Sequence, residues 1–593
     1  MRKILAIAVA AALLFSVASA SSERTAPEHF DPVLEPGAFC TPNGSGGKPA
    51  LLARLVLART ETAPFQPVPA QPALEQGPVL YRDLGNLHFP VRTRDPRARP
   101  WFEQGMLLAY GFNHAEARRA FREAQRLDSG CALCFWGEAY VLGPNINAPM
   151  DPGAQEPALA ALARATALSK EAPARERALI EALARRYSPD PAAHRAALDR
   201  AYADAMRGVA RRFPADDNVR VLFAEALMDA QPWDYWEAGG ARPKGAGAEI
   251  VAQLEAVLAR NPRHAGAAHF YIHAMEASTK VEKALPHARR LAGLAPGAGH
   301  LVHMPAHIYF RLGMYRESLE ANKRAIAADD RYFATSPSDP LYRFAYHPHN
   351  IHFVMVSAQM GGDDRTALDA ARRLDASIAA EVAAKFPIMQ PVKAAPYTTH
   401  ALFSDADAIL ALPAPAAGLG LVKAMYHYAR AVAHAQRLDA AAAAAELDAL
   451  ASMETGDFKA FLEWGVPAKE IIRTARLVAT GRLADAQGDL DGAAKAYEEA
   501  IAIEDSLAYM EPPYWNYPIR QSLGSVRLRQ GRLDEAERAF RDSLARVRNN
   551  GWALAGLAET YRVMGKAKAE RAARGAMSKA WLGPRGGPDL AKL

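Results

Sequence analysis

The sequence predicts an all-α fold, a superhelical solenoid of stacked helical hairpins. Alanine, the best helix former, dominates the chain and runs unbroken from Ala440 to Ala445. Small and aromatic residues recur with a spacing of 34 residues, the mark of a unit that must stack on copies of itself to bury its apolar face. Glycine or proline punctuates the ends of the segments that carry this pattern. At 593 residues, 50% of them hydrophobic, the chain can bury one long stacked core or several.

Residues 1–20 read as a secretory signal. Met1, Arg2 and Lys3 give a basic start, Ile4 to Val17 is almost wholly apolar, and Ala18-Ser19-Ala20 supplies the small-residue cleavage pattern. The apolar run is shorter than the roughly 20 residues a membrane span requires, and Cys40 lies too far on to make a lipoprotein junction. The expectation is a protein without a membrane span, periplasmic or secreted after cleavage near Ala20. Residues 21–95, rich in proline and polar side chains, are expected to run extended over the first hairpins. The net charge of +6 falls to +4 once Arg2 and Lys3 leave, and no basic tract points to nucleic acid.

The hairpins begin in residues 96–264. Gly105, Ala117, Phe121 and Ala124 follow Trp101 at spacings that recur as Gly481, Ala493, Tyr497 and Ala500 and again as Gly524, Ala536 and Phe540. This pattern resembles the tetratricopeptide-repeat (TPR) consensus, in which small residues sit where the paired helices touch. Two abutting 34-residue units start at Ala265 and Gly299, with Asn261-Pro262 and Ala295-Pro296 ending the preceding helices. Others are expected near Ala98, Pro348, Val422, Thr474, Tyr517 and Gly551. Residues 265–385 thus form histidine-rich units, and residues 386–593 C-terminal units with a tail. Two stretches break the period, Leu142 to Met150 and Pro232 to Trp236; insertions between repeats tend to fall on one face, often the binding face.

Ten of the 17 histidines fall between His264 and His352, and His269 and His273 recur 34 residues later as His303 and His307. His269, His273 and Glu276 share one helical face, as do His300, His303 and His307, since residues three, four and seven apart are neighbours. His349 and His352 take the equivalent places on the next unit. In the proteins this chain resembles, such first-helix positions line the concave groove. Neighbouring helix axes lie roughly 8–10 Å apart, so imidazoles from three successive units can converge on one ligand. The metal-ligand candidates are therefore His269, His273, Glu276, His300, His303, His307, His349 and His352, with zinc, copper, nickel or iron as the ion. Met275, Met304 and Met355 would favour copper(I) if they ligate, or fill the core if they do not. His264 and His287 read as structural.

Cys131 and Cys134 form a CxxC without the following histidine of c-type haem attachment, Phe135 standing there. A disulfide involving this pair, with or without Cys40, and thiolate metal ligation both fit. No phosphate-binding loop, HExxH, GxSxG or dinucleotide fingerprint occurs, so nothing demands an enzyme.

The longer phrases GMLLAYGFNHAEA (Gly105 to Ala117), CALCFWGEAYVLGPNINAPM (Cys131 to Met150), AHFYIHAMEAS (Ala268 to Ser278), AGHLVHMPAHIYFRLG (Ala298 to Gly313) and EPPYWNYPIRQSLG (Glu511 to Gly524) are similar to those of a group of exported bacterial TPR proteins. The resemblance implies the fold and its boundaries and carries no catalytic residue across. His114 and Asn145 belong to these phrases and are candidates for lining the groove, with capping of a helix as the alternative for His114. Three functions fit: a scaffold binding a transition metal in a histidine-lined groove, a solenoid gripping a protein or peptide without metal, and a metal-dependent hydrolase or oxidase with Glu276 as acid or base.

Overall fold

Packing inside each hairpin follows from the residue pattern. A Cβ on Gly105 would meet the Phe121 ring at 2.6 Å, one on Gly481 the Tyr497 ring at 2.6 Å, and one on Gly524 the Phe540 ring at 2.7 Å. These positions accept only hydrogen, which lets the two helices approach until the aromatic fills the seam. The computed structural model describes residues 77–190, 192–237, 239–336, 342–507 and 510–593. The expected signal sequence, its cleavage site and Cys40 lie outside the described residues.

The first hairpins comprise α1 (Ala98–Tyr110), α2 (His114–Leu127), α3 (Ala132–Val141), α4 (Gln155–Leu168), α5 (Ala174–Leu183), α6 (Arg195–Arg212), α7 (Asp217–Ala230) and α8 (Gly247–Arg260). The histidine-rich units follow as α9 (Ala265–Met275), α10 (Leu285–Leu294), α11 (Gly299–His303), α12 (Pro305–Arg311), α13 (Tyr315–Thr335), α14 (His347–Gly361) and α15 (Asp364–Ser377). After α16 (Ala380–Lys385), α17 (Met389–Phe403) and α18 (Ala406–Leu410) come the regular pairs α19 (Gly420–Gln436) with α20 (Ala440–Met453), then α21 (Lys459–Glu463), and α22 (Ala468–Ala486) with α23 (Leu490–Ser506). The chain ends with α24 (Ile519–Arg529) and α25 (Leu533–Arg546), then α26 (Gly551–Val563) and α27 (Ala567–Ala580). Among the described residues there is no strand, only two isolated bridges. The molecule is a TPR-type helical solenoid, and none of its described helices is long and apolar enough to cross a membrane.

Two details differ from expectation. The unit placed near Thr474 begins at Ala468, directly after Pro467, because Ile471 and Ile472 must also be buried. The first helix of the Gly299 unit is broken in two at Met304. Pro305, which has no N–H to donate, restarts it in the first position of α12, where that loss costs little.

Residues 77–95 lie along the first hairpins. Gln104 Nε2 donates to the Val79 carbonyl at 2.8 Å, Arg92 N donates to Glu176 Oε1 at 2.7 Å, and Leu84, Phe89 and Val91 are buried. Burial of each such side chain contributes about 1.5–3 kcal/mol.

The superhelix then closes on itself. Helix α1 packs against α9, and α14 against α26. The Tyr315 hydroxyl donates to the Arg548 carbonyl at 2.6 Å, and Leu582 N donates to the Gly361 carbonyl at 2.7 Å. One hydrophobic core runs from Leu84 to Tyr346, a second from Ala306 to Val526, and the histidine-rich units sit where they meet. The face expected to be an open groove is an interior.

Candidate metal centre

Helix α9 carries His269 and His273 one turn apart, α11 and α12 carry His300, His303 and His307, and α14 carries His349 and His352. Stacking of the three units brings the rings together. Centroids lie 4.7 Å apart for His269 and His273 and 5.0 Å for His269 and His300; the values are 4.7 Å for His303 and His307 and 4.8 Å for His303 and His349. Nitrogens of His269, His273 and His300 fall within 4.8 Å of one another, as do those of His303, His307 and His349, and so do donor atoms of Glu276, His307 and Glu511. His269, His273, His300, His303 and His307 are at most 3% exposed, and Glu276 is fully buried.

A metal-bound histidine is normally held through its second nitrogen by a carboxylate or carbonyl, which fixes tautomer and ring orientation. That arrangement recurs here. His269 Nδ1–H donates to the Tyr110 carbonyl at 2.5 Å, and His303 Nδ1–H to Asn322 Oδ1 at 2.6 Å. Glu276 serves two rings, accepting from His273 Nδ1 at 3.1 Å through Oε1 and from His307 Nδ1 at 2.7 Å through Oε2. Glu511 Oε2 lies 2.9 Å from the same His307 nitrogen. His269 Nε2 and both nitrogens of His300 are buried with no hydrogen-bond partner among the described residues, at a desolvation cost of about 1–3 kcal/mol each.

Burial, reinforced by neighbouring imidazoles, drives His269, His300 and His303 well below the usual histidine pKa. They are neutral at pH 7, the form that binds metals. His307 goes the other way: burial lowers it, but the charges and hydrogen bonds of Glu276 and Glu511 outweigh that and raise it. His352 is pushed down to about 3 by burial alone.

Two aromatic residues in the left-handed backbone region press on this cluster. Phe112 (φ 56°) stacks on His273 with centroids 5.8 Å apart, and Trp233 (φ 63°) meets the same ring edge-on at 4.9 Å. Such a conformation costs of order 1–3 kcal/mol for a bulky side chain and persists where the surroundings impose it, commonly at functional sites. Both insertions that break the repeat period meet here: Trp233 Nε1 donates to the Ile146 carbonyl at 2.7 Å, and Asn147 Nδ2 to the Tyr346 hydroxyl at 3.3 Å.

Beside the cluster lies a cavity of ≈ 140 Å³. Its floor is His273, His300, His307, His349 and His352; its walls include Ile388, Met389, Val392, Pro512 and Tyr514.

The structure therefore brings together seven of the eight expected ligands and leaves His352 outside every three-donor group among the described residues, on the cavity wall. His264 caps α9, its Nδ1 accepting from Ala267 N at 3.2 Å, and His287 packs edge-on against Tyr271. Met275, Met304 and Met355 are core side chains. Cys131 and Cys134 are joined as a disulfide at the start of α3 and belong to no donor group among the described residues. His114 and Asn145 line a separate cavity, and the cap of α2 is Asn113, which accepts from Glu116 N at 3.3 Å, rather than His114.

Sequence reasoning missed Asn322, Glu511, Phe112, Trp233 as a ring contact, and Tyr346. Asn322 left a signal: it occupies the position where other units carry the seam-filling Phe121, Tyr497 or Phe540. Glu511 left only its place at the head of the EPPYWNYPIRQSLG phrase, since it lies in the irregular stretch between α23 and α24.

No protein-family model matches the chain, and no curated protein does. Similar solved structures include the APC/C hetero-tetramer Cut9-Hcn1, 13% identical, with 79% of this chain and 78% of that chain covered and a TM-score of 0.28. A human IFIT1 dimer with PPP-AAAA is 14% identical, covering 81% of this chain and 96% of that one at a TM-score of 0.31. The fold assignment rests on the hairpins themselves.

Proposed function

We propose that this protein is an exported solenoid that binds a transition metal in its buried imidazole cluster. One observation carries the proposal: His269, His273, His303 and His307 are each held at Nδ1, by a carbonyl, an amide or a carboxylate, which presents Nε2 as the donor. Neutral imidazoles with nearby carboxylates suit zinc, copper, nickel or iron. A peptide needs an accessible groove, whereas these side chains are interior and favour a small ligand. The adjoining cavity supports a second reading, a metal-dependent hydrolase or oxidase; Glu276 would act there only through His273 and His307, and Glu511 is the carboxylate on the cavity lining.

Metal analysis of full-length protein purified without a histidine tag tests the proposal. Metal should copurify or rebind in simple proportion to protein, and a folded His303→Ala, His307→Ala double variant should lose most of it. Wild-type protein that takes up no transition metal, or a double variant that retains all of it, contradicts the proposal.

A further inference from the structure

We infer that the centre is binuclear: one ion is held by His269, His273 and His300, a second by His303, His307 and His349, and both open onto the apolar cavity. The inference rests on the metal-binding reading above and goes beyond it in stoichiometry and ligand class.

The six imidazoles divide into two sets that share no residue, and each set converges on its own point, with its donor nitrogens within 4.8 Å of one another. Bonds of 2.0–2.1 Å in a tetrahedral sphere require donors roughly 3.4 Å apart, so each set needs only a small contraction. In the second set the His303 Nε2 to His307 Nε2 contact of 2.8 Å would open slightly as an ion replaces it. The sets are adjacent. His300 and His303 are 6.0 Å apart between ring centroids, and His273 and His307 are 6.3 Å apart. That closeness suits a pair of ions working on one ligand, as in two-metal sites with ions roughly 3.5–4 Å apart.

Glu276 ties the sets together, because one oxygen holds His273 of the first and the other holds His307 of the second. Its buried charge and that of Glu511 also offset part of the charge of two cations. Three protein donors per ion leave a coordination position open on each. The cavity floor contains His273 and His300 from the first set and His307 and His349 from the second, so a molecule in the cavity faces both. At ≈ 140 Å³ the space is close to the ~150 Å³ apolar cavity that accepts benzene. Its ligand is a small neutral molecule with an apolar body and one oxygen or nitrogen donor, the size of phenol.

The test uses the full-length, untagged chain, stripped with a chelator, reloaded with copper(II) and desalted. Two coppers per chain are expected in the wild type. His269→Ala and His349→Ala should each retain one, with an electron paramagnetic resonance signal that integrates to one spin per copper; the wild-type signal should be spin-deficient or dipolar-split. His269→Gln and His349→Gln, which keep side-chain volume, give the same reading if an alanine variant fails to fold. Phenol added to the loaded wild type should shift the copper spectrum, and glucose should not. One copper per chain in the wild type overturns the binuclear centre while leaving metal binding intact, and no copper overturns both. A spectrum unmoved by phenol overturns the assigned ligand class.

Discussion

Two buried polar clusters lie in the same solenoid, and they solve the problem of burial in opposite ways. Around Arg186, which is 1% exposed, charges meet partners within the chain. Its guanidinium pairs with Asp229 at 2.5 Å and Asp199 at 3.4 Å, donates to the Pro144 carbonyl at 3.0 Å, and lies over the Tyr202 ring. Tyr140 donates to Glu225 one turn before Asp229. Asp229 Oδ1 and the Tyr202 hydroxyl are the exceptions. In the imidazole cluster Nδ1 of His269, His273, His303 and His307 is held, while His269 Nε2 and both His300 nitrogens have no hydrogen-bond partner among the described residues. In the first arrangement the charges are paired within the chain, and Arg186 holds the Leu142 to Met150 insertion through the Pro144 carbonyl. The second leaves imidazole nitrogens that the proposed metal would take up.

Arg186→Met leaves buried Asp229 without its cation, while Asp199 keeps Arg195 at 3.0 Å, and a broken buried pair costs about 3–5 kcal/mol. Thermal unfolding should show a large drop in apparent melting temperature; a shift near zero would make this cluster dispensable and undo the contrast. The corresponding change in the imidazole cluster is Glu276→Gln, which keeps the shape but removes the carboxylate that orients His273 and His307. Loss of such an orienting partner typically weakens metal binding about 10–100-fold. Competition with a chromophoric chelator should measure that loss while the melting temperature of the metal-free protein stays close to wild type. Unchanged affinity would mean that Glu276 only fills space.

The smallest effect is a pH slope. Burial, with Asp229 adding its charge, raises the Glu225 carboxyl, and burial raises Asp229 as well. The folded state therefore binds these protons more tightly than the unfolded chain. Stability is fully present below the unfolded carboxylate pKa of about 4 and falls as pH rises towards neutrality. Glu225→Gln should flatten this fall by at most about 1.4 kcal/mol per pH unit, read from melting temperatures at several pH values. An unaltered slope would assign the titration elsewhere.

Much of the fold was legible because TPR seams require residues of fixed size: Gly105 under Phe121 and Gly481 under Tyr497 are contacts written directly as spacing. The recurrence of His269 and His273 as His303 and His307 was legible for the same reason, since equivalent positions stack. What periodicity could not express was closure. The packing of α1 on α9 and of α14 on α26 joins residues far apart in the chain, and it turned an expected groove into an interior. Glu511 and Trp233 reach the site from irregular segments whose paths no repeat dictates. The interruption at Met304 leaves a mark in the sequence as Pro305, which favours a helix start but does not by itself dictate the break before it.

Anomalous diffraction from metal-loaded crystals, at the absorption edge of the bound element, reads whether the inward nitrogens of this cluster are metal ligands. Density is expected about 2.0–2.1 Å from Nε2 of His303 and His307, with a second peak among His269, His273 and His300. Full-occupancy metal elsewhere, such as beside His427, His434 and Glu446 on α19 and α20, with none among these imidazoles, would contradict that assignment.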